Sequence, residues 1–362
     1  MHNGFDRPGH LNPTLEPYAN IFRRYTEFDA RGASPLYEHL SIRIAADPEL
    51  LELTAYARKG QPVPNLLFGS VQFLLLKGVQ HPLAAYYPSI SGNVGNTGLD
   101  WVEDPYPYFR AFCLEHYEEI RQMIATRLVQ TNEVRRCACL LPPFGLVAQQ
   151  AGGLPLSLVE IGTSAGLNLL WDCYGYDYGE DGRYGNIHSP VQLHCHLRGE
   201  RRPVLPTIFP EVASRIGIDL HPIDARNAEE TLWLQALIWP EHEKRRHMLQ
   251  NAIEIARKEP PQLVEGNALD LLPAIMAAVP QDTTLCLFHT FVLNQFLPED
   301  RERLAALFAD EATRRDLYVI SIAWLDAEVP QLVLQSFENG MRMVRKLAVC
   351  SGHARWMEWV AN

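Results

Sequence analysis

A short glycine-rich segment, Gly162-Thr163-Ser164-Ala165-Gly166, has the residue types that point most directly to ligand chemistry. It follows the apolar run Leu156–Ile161, which is typical of a buried strand. Glycines between a strand and a helix let the backbone approach a ligand closely, and the next helix presents unpaired N–H groups. This segment, called the glycine loop below, therefore predicts a ligand site at the end of a strand.

Carboxylate and amide side chains stand at the ends of three apolar runs. Glu160 precedes the glycine loop, Asp219 ends the run from Arg215, and Asn267 follows the run Gln262–Gly266. The carboxyl ends of parallel strands meet at one edge of a sheet, where open α/β folds bind ligands. We therefore expect these side chains to border the same site as the glycine loop.

Two residues are candidates for acid–base catalysis. His289 ends another apolar run, and a histidine with a tuneable pKa suits a general base; Glu133 is the second candidate. Asn132 and Arg136 stand beside Glu133 and are predicted to contact a substrate. Two simpler interpretations stay open: His289 as a buried residue bonded to backbone, and Thr131–Arg136 as a helix start with a Glu133–Arg136 pair.

The residues after the glycine loop supply further candidates. Asn168 and Asp172 lie four apart, so on a helix they share a face and could both border the site. Tyr174 is predicted to contribute to an aromatic wall for a substrate. The alternatives are that Asn168 and Asp172 are helix-surface residues and that the tyrosines form the small core of an insertion.

A metal site is not predicted. His194 and His196 alternate around Cys195, so both imidazoles would lie on one face of a strand. A closed zinc site needs four ligands, and an open one needs three plus water. Two histidines do not meet either requirement.

The pattern Glu160-x-Gly162-x-Ser164-x-Gly166 resembles the first motif of class I S-adenosylmethionine-dependent methyltransferases, with Ser164 where glycine is usual. The resemblance implies a cofactor whose charged tail lies near Glu160 and Gly162, whose ribose lies near Asp219, and whose adenine lies near Asn267. The cofactor-binding residues it implies are Glu160, Gly162, Ser164, Gly166, Asn168, Asp219 and Asn267. The expected function is methyl transfer to a small molecule.

Two other functions stay open. Gly162–Gly166 also satisfies G-x-S-x-G, the nucleophile elbow of α/β-hydrolases, and Asp326 and His353 follow in the chain order of a catalytic triad. That elbow normally sits several strands into its sheet, whereas here it follows the first strand that the sequence predicts. The third possibility is a non-catalytic nucleotide-binding or scaffold protein.

Several strings across nearly the whole chain resemble an uncharacterised bacterial family, domain of unknown function 2332. They are Gln130-Thr131-Asn132-Glu133, Val159–Leu169, Leu220-His221-Pro222-Ile223-Asp224 and His353–Trp359. The resemblance implies a methyltransferase-like C-terminal half and no agreed reaction. It therefore bears on the fold more than on the chemistry.

The secondary-structure pattern divides the chain in two. Residues 1–150 read as helices, with starts at Ser34-Pro35 and Asp47-Pro48, and are predicted to form an all-α cap domain. Residues 151–362 alternate strands and helices, which predicts an α/β domain with an open, mostly parallel, Rossmann-like sheet of the methyltransferase type. Residues 172–213 are irregular and are predicted to be an insertion.

The composition narrows the partners. A net charge of -11 argues against nucleic acid, because phosphate binding needs a basic surface. No apolar run approaches the length of a membrane span, and no secretory signal is visible. Seven scattered cysteines without a Cys-x-x-Cys pair indicate free thiols in a reducing cytoplasm. We expect a cytoplasmic protein with a small-molecule substrate; the sequence assigns no oligomeric state.

Overall fold

The computed structural model describes residues 14–92, 101, 103–324 and 328–361. The chain forms two compact units: Met1–Thr131 with Leu232–His247, and Asn132–Thr231 with Met248–Asn362. The sequence predicts a change of secondary structure after residue 150, whereas the contacts divide the chain after Thr131. Among the described residues, no helix combines the length and apolar character needed to cross a membrane.

The first unit is helical, and no strand occurs among its described residues. Ser34 accepts a hydrogen bond from the backbone N–H of Tyr37 (3.2 Å), and Asp47 accepts one from that of Glu49 (3.0 Å), which confirms both predicted helix starts. Its first seven helices are α1 (Glu16–Tyr25), α2 (Pro35–Ile44), α3 (Pro48–Thr54), α4 (Val63–Leu76), α5 (Pro88–Ser91), α6 (Pro105–Glu115) and α7 (Tyr117–Thr126).

The remaining helices are α8 (Cys137–Gln150), α9 (Ala228–Ala236), α10 (Glu243–Lys258), α11 (Ala268–Ala278) and α12 (Pro298–Glu311). Helix α8 continues through Pro142 and Pro143, where the sequence predicts a bend or break. Pro142 has no N–H to donate to the carbonyl of Ala138, and the Tyr178 hydroxyl donates to that carbonyl instead, at 2.6 Å. A tertiary contact thus replaces the lost helix bond.

The second unit is mixed α/β, with a large and mostly parallel sheet. Its strands are β1 (Leu156–Ile161), β2 (Gly175–Asp177), β3 (Arg183–Gly185), β4 (Gln192–His194), β5 (His196–Arg198), β6 (Val212–Asp219), β7 (Gln262–Glu265), β8 (Thr284–Thr290), β9 (Leu317–Ala323), β10 (Gln331–Glu338), β11 (Met341–Cys350) and β12 (Trp356–Trp359). The large sheet has the order β5-β12-β11-β10-β9-β8-β1-β6-β7, and β3-β2-β4 form a separate small sheet.

Five neighbouring strands, β7-β6-β1-β8-β9, are parallel. Four of them correspond to the apolar runs named in the sequence analysis, and β9 corresponds to a further apolar run, Leu317–Ile322, which also predicts a strand. Strands β10 to β12 continue the sheet in antiparallel pairs, which the sequence analysis did not predict. A signal for them is present: Asn339-Gly340, both with positive φ, is a typical hairpin turn between β10 and β11.

The segment 172–213 contains four short strands, β2 to β5, rather than only irregular chain. Strand β5 pairs with β12 and so becomes the edge of the large sheet. Tyr174 and Tyr176 are fully buried, in accord with the interpretation of these tyrosines as a small core. The seven cysteines are all free thiols, as expected.

Candidate functional site

The glycine loop joins β1 to a short 3-10 helix, Leu167–Cys173, at the carboxyl end of the parallel strands. Gly162, Ser164 and Gly166 all have positive φ (72°, 52° and 71°). Ser164 stands where the methyltransferase motif usually has glycine, and its backbone angles lie in the region that favours glycine. The backbone N–H groups of Gly162 and Thr163 both donate to the carbonyl of Ile218 in β6, at 2.8 and 3.2 Å.

Glu160 is buried directly beneath this loop, with 1% of its surface exposed. The Thr163 hydroxyl donates to its Oε2 at 2.6 Å, and the Asn168 amide donates to its Oε1 at 3.2 Å. Burial raises the pKa of Glu160 to about 8, and these two hydrogen bonds and Arg136 oppose the rise. Glu160 and Asn168 thus hold the loop in place from its buried side.

Asp219 connects the loop to the next strand. The N–H groups of Ser164 and His221 donate to its two carboxylate oxygens, at 2.8 and 3.0 Å. Its own carbonyl accepts from the N–H of Gly266 at 2.9 Å, which brings the ends of β6 and β7 together. Asn267 follows as an exposed residue that caps α11 through its bond to Leu269 N–H, at 3.0 Å. The structure thus brings Asp219, Asn267 and the glycine loop to one edge.

Two glycines of the loop face other side chains at close range. A Cβ at Gly162 would lie 1.9 Å from Cγ2 of Val292, and one at Gly166 would lie 2.6 Å from Cγ of Pro261. Both positions therefore need glycine for packing as well as for backbone conformation. Val292 belongs to the segment 290–292 that follows β8.

Asp172 and Tyr174 are not brought to this edge. The helix after the loop is 3-10, and its Leu170 has non-helical angles, so Asn168 and Asp172 do not share a face. Asp172 pairs with Arg215 of β6. The Tyr174 hydroxyl donates to the carbonyl of Leu167 at 2.6 Å within the core.

His289 lies at the end of β8 with 1% of its surface exposed, and its Nδ1 has no hydrogen-bond partner. Burial lowers the pKa of His289 to about 4. In register, His289 pairs with Ile161, whereas Glu160 pairs with Phe288. Because side chains alternate along strands, His289 faces the core of α11 and α12, on the sheet face opposite Glu160.

Arg136 lies on the same face of the sheet as Glu160, because its partner Thr290 alternates with His289 along β8, and its backbone N–H donates to the carbonyl of Glu133 at 3.1 Å. Nδ1 of His353 is 3.0 Å from Oε2 of Glu133, which is an ion-pair distance although the two atoms are not in hydrogen-bond geometry, and Glu133 is 1% exposed. Arg136 donates to the Thr290 hydroxyl at 3.1 Å and to the Gly352 carbonyl at 3.4 Å. The neighbouring Asn132 has a buried Nδ2 without a hydrogen-bond partner.

The proximity of His353 to Glu133 is a feature of the candidate site that the sequence did not predict. In the sequence, the string His353–Trp359 indicates a family resemblance, and His353 is a possible member of a catalytic triad, but nothing there links His353 to Glu133. Asp326, the triad acid considered there, lies outside the described residues. The proximity of His353 to Glu133 arises only from the fold, since β11 brings the C-terminal segment back along the sheet.

No cluster of three or more His, Cys, Asp or Glu side chains that could hold a metal ion occurs in the described part of the chain. His194 lies 3.5 Å from Asp177 across the small sheet, and His196 belongs to β5. Each histidine therefore has its own structural setting.

A family model described as "Uncharacterized protein conserved in bacteria (DUF2332)" matches residues 19–359. No curated protein matches the chain, and no solved structure does.

Proposed function

The chain belongs to the bacterial family DUF2332, and we propose that it is an S-adenosylmethionine-dependent methyltransferase acting on a small molecule. The observation that carries the proposal is the position of Asp219. Its carboxylate accepts a hydrogen bond from Ser164 of the glycine loop, and its carbonyl accepts one from Gly266, next to Asn267. A nucleoside bound across these strand ends would meet an acid for its ribose and an amide for its base.

The strand order supports a nucleoside site at this edge. Numbered along the chain, the five parallel strands follow the order 3-2-1-4-5, and the direction of winding changes at β1. Ligands of open α/β sheets bind in the crevice at such a point, outside the carboxyl ends of the strands. The glycine loop leaves β1 at this point.

The donor set of the loop favours a cofactor without phosphate. The N–H groups of Gly162, Thr163, Ser164 and Gly166 already donate to protein oxygens. A phosphate site at a glycine loop uses unpaired N–H groups at the start of a helix. S-adenosylmethionine has a nucleoside and an amino-acid tail but no phosphate, so these residues fit it better than a dinucleotide.

The remaining polar side chains, those of Asp219 and Asn267, fit the nucleoside itself. A carboxylate can accept about four hydrogen bonds, so two backbone donors at Asp219 are compatible with ribose hydroxyls. Asn267 is exposed and carries both an acceptor oxygen and a donor amide. Glu160 is buried, and its task is to hold Thr163 and Asn168 so that the loop keeps its shape.

When bound, S-adenosylmethionine supplies an electrophilic methyl group. Methyl transfer is an in-line displacement, so the protein mainly aligns the acceptor and excludes water. Val292 packs against Gly162 of the loop.

We expect calorimetry to detect binding of S-adenosylmethionine to the wild-type chain and weaker binding to Asp219→Asn. Loss of a charged acceptor costs about 1.5–3 kcal/mol, which corresponds to a roughly 10- to 100-fold higher Kd. The matched control is Asp282→Asn. Asp282 is exposed and precedes the first residue of β8, at the edge of the sheet opposite the glycine loop, so this variant should bind as the wild type does. The cofactor should also raise the melting temperature of both the wild type and the control.

Absence of binding to the folded wild-type chain would refute a methyltransferase and leave the esterase and scaffold alternatives. Equal binding by the wild type and Asp219→Asn would refute the proposed position of the ribose.

The positive φ of Ser164 favours a second candidate function, a serine esterase, because residues with strained backbones cluster at active sites. If the chain is a hydrolase, a fluorophosphonate probe should label the wild type and leave Ser164→Ala unlabelled. The methyltransferase proposal predicts no labelling of either protein. Mass spectrometry of the labelled peptide identifies the modified residue.

A further inference from the structure

We propose that His353, oriented by Glu133, is the general base that takes the acceptor's proton, and that the acceptor is a phenol-type aromatic hydroxyl. This inference rests on the proposed methyltransferase function and specifies its substrate. Glu133 is 1% exposed, whereas the His353 side chain is 45% exposed, with Nδ1 3.0 Å from the Glu133 carboxylate. The imidazole therefore joins a buried acid to a surface that a substrate can reach.

A carboxylate next to Nδ1 defines the role of the other ring nitrogen. It favours a proton on Nδ1, which leaves Nε2 as the basic atom that can accept the acceptor's proton. A buried carboxylate such as that of Glu133 acts strongly on the neighbouring imidazole, because it is little screened by water.

The segment Thr290-Phe291-Val292 lies next to the glycine loop and also contacts Arg136. Val292 covers Gly162 of the loop. Thr290 and Phe291 both contact Arg136, the former by a hydrogen bond of 3.1 Å and the latter with its ring 4.4 Å from the guanidinium carbon. Since Arg136 also bonds Gly352, which precedes His353, an acceptor beside His353 would lie next to the cofactor loop.

The aromatic surface beside His353 indicates the acceptor's shape. Phe291 has a φ of 62°, which is rare for a bulky residue, and is held there by an N–H bond to the Ile322 carbonyl at 2.7 Å. Its ring lies 5.2 Å from that of Trp324, which is exposed. Gly352 adjoins the Trp324 ring, since a Cβ at Gly352 would lie 3.5 Å from it. A flat aromatic ring packs well on such a surface.

The chemical step balances without a further reactant. The acceptor oxygen forms a bond to the methyl carbon, the sulfonium S–C bond breaks, and its electron pair stays on sulfur as a neutral thioether. The hydroxyl proton passes to Nε2 of His353 and then to solvent.

His289 is a weaker candidate for the same role. It is 1% exposed, it faces the α11 and α12 side of the sheet, and no charged group contributes to its lowered pKa. A base that a substrate cannot touch cannot take its proton.

The test is histidine NMR on the full chain with ¹⁵N-labelled imidazoles, recorded at about pH 8, with signals assigned by His353→Gln and His289→Gln. We expect His353 to carry its proton on Nδ1, and Glu133→Gln to change that tautomer population while the exposed Glu299→Gln does not. Millimolar phenol should shift the His353 signals, whereas cyclohexanol, which has the same hydroxyl on a non-aromatic ring, should shift them several-fold less. The His289 signals should not respond to either probe.

A His353 that carries its proton on Nε2, or that responds equally to phenol and cyclohexanol, would overturn this inference. Calorimetry on His353→Gln separates the two proposals, because this variant should bind S-adenosylmethionine as the wild type does. A wild-type chain that binds no S-adenosylmethionine rejects the proposed function, whatever the NMR spectra show.

Discussion

The free energy of unfolding of the wild type is expected to fall as the pH rises from about 5 to about 8, relative to the variant Glu160→Gln. Burial raises the pKa of Glu160 from 4.5 to about 8 in the folded chain. Between these values the folded state holds a proton that the unfolded state has lost, so stability decreases with pH. Each pKa unit corresponds to about 1.4 kcal/mol, and the total effect is on the order of 5 kcal/mol.

Glu160→Gln removes this dependence, because an amide is neutral and can still hydrogen-bond with Thr163 and Asn168. His289, with its pKa lowered to about 4, changes stability in the opposite direction, with stability rising between about pH 4 and 6.5. It is present in both proteins and cancels in the difference. Urea unfolding at several pH values measures that difference. If the free energy of unfolding depends on pH in the same way in the wild type and in Glu160→Gln, the raised pKa of Glu160 is refuted. The control is Glu265→Gln, a change of the same kind at an exposed position.

Gly162→Ala is expected to destabilise the second unit by about 3 kcal/mol or more, through backbone strain and overpacking together. The residue has a φ of 72°, and its new Cβ would lie 1.9 Å from Cγ2 of Val292. Val292 is branched at Cβ and cannot easily turn its methyl groups away. Chemical denaturation followed by circular dichroism measures the loss.

The matched control is Gly152→Ala, whose φ of 69° is nearly the same but whose Cβ would meet nothing within 4 Å. We expect it to lose only about 1 kcal/mol, the cost of the left-handed backbone. Val292→Ala removes the clashing methyl groups, so the double variant Gly162→Ala, Val292→Ala should lose less than the sum of the single changes. Additive losses would show that the contact between residues 162 and 292 is not the cause.

Local patterns predicted the elements that depend on local physics. The five parallel strands are continuous apolar runs because both faces of the sheet are covered, and a run such as Leu156–Ile161 is readable without any partner. Helix starts at Ser34 and Asp47 were equally readable, since the capping side chain bonds a backbone N–H two or three residues away.

Where local patterns were misleading, a longer-range contact or a local break was responsible. The amphipathic stretch from Asp104 to Val129 predicts one long helix, whereas the structure divides it at His116, whose backbone angles leave the helical region. The pattern from Glu49 to Lys59 likewise predicts one helix up to Gly60, whereas the helix ends at Thr54. Helix α8 does the opposite and passes through two prolines, because Tyr178 supplies a hydrogen bond that the sequence near Pro142 cannot reveal.

The strand–loop–helix unit around Gly162, and the positions of Glu160, Asp219 and Asn267 at strand ends, could be predicted from the sequence alone. The reason is that local backbone geometry and burial produce a recognisable spacing of apolar residues. The sequence did not determine which polar side chains meet. Pleat alternation in the assembled sheet turns His289 away from Glu160, and the return of β11 brings His353 to Glu133. Such pairings depend on strand order and on the register between strands that are distant in the sequence, and the residue spacing within one strand does not reveal either.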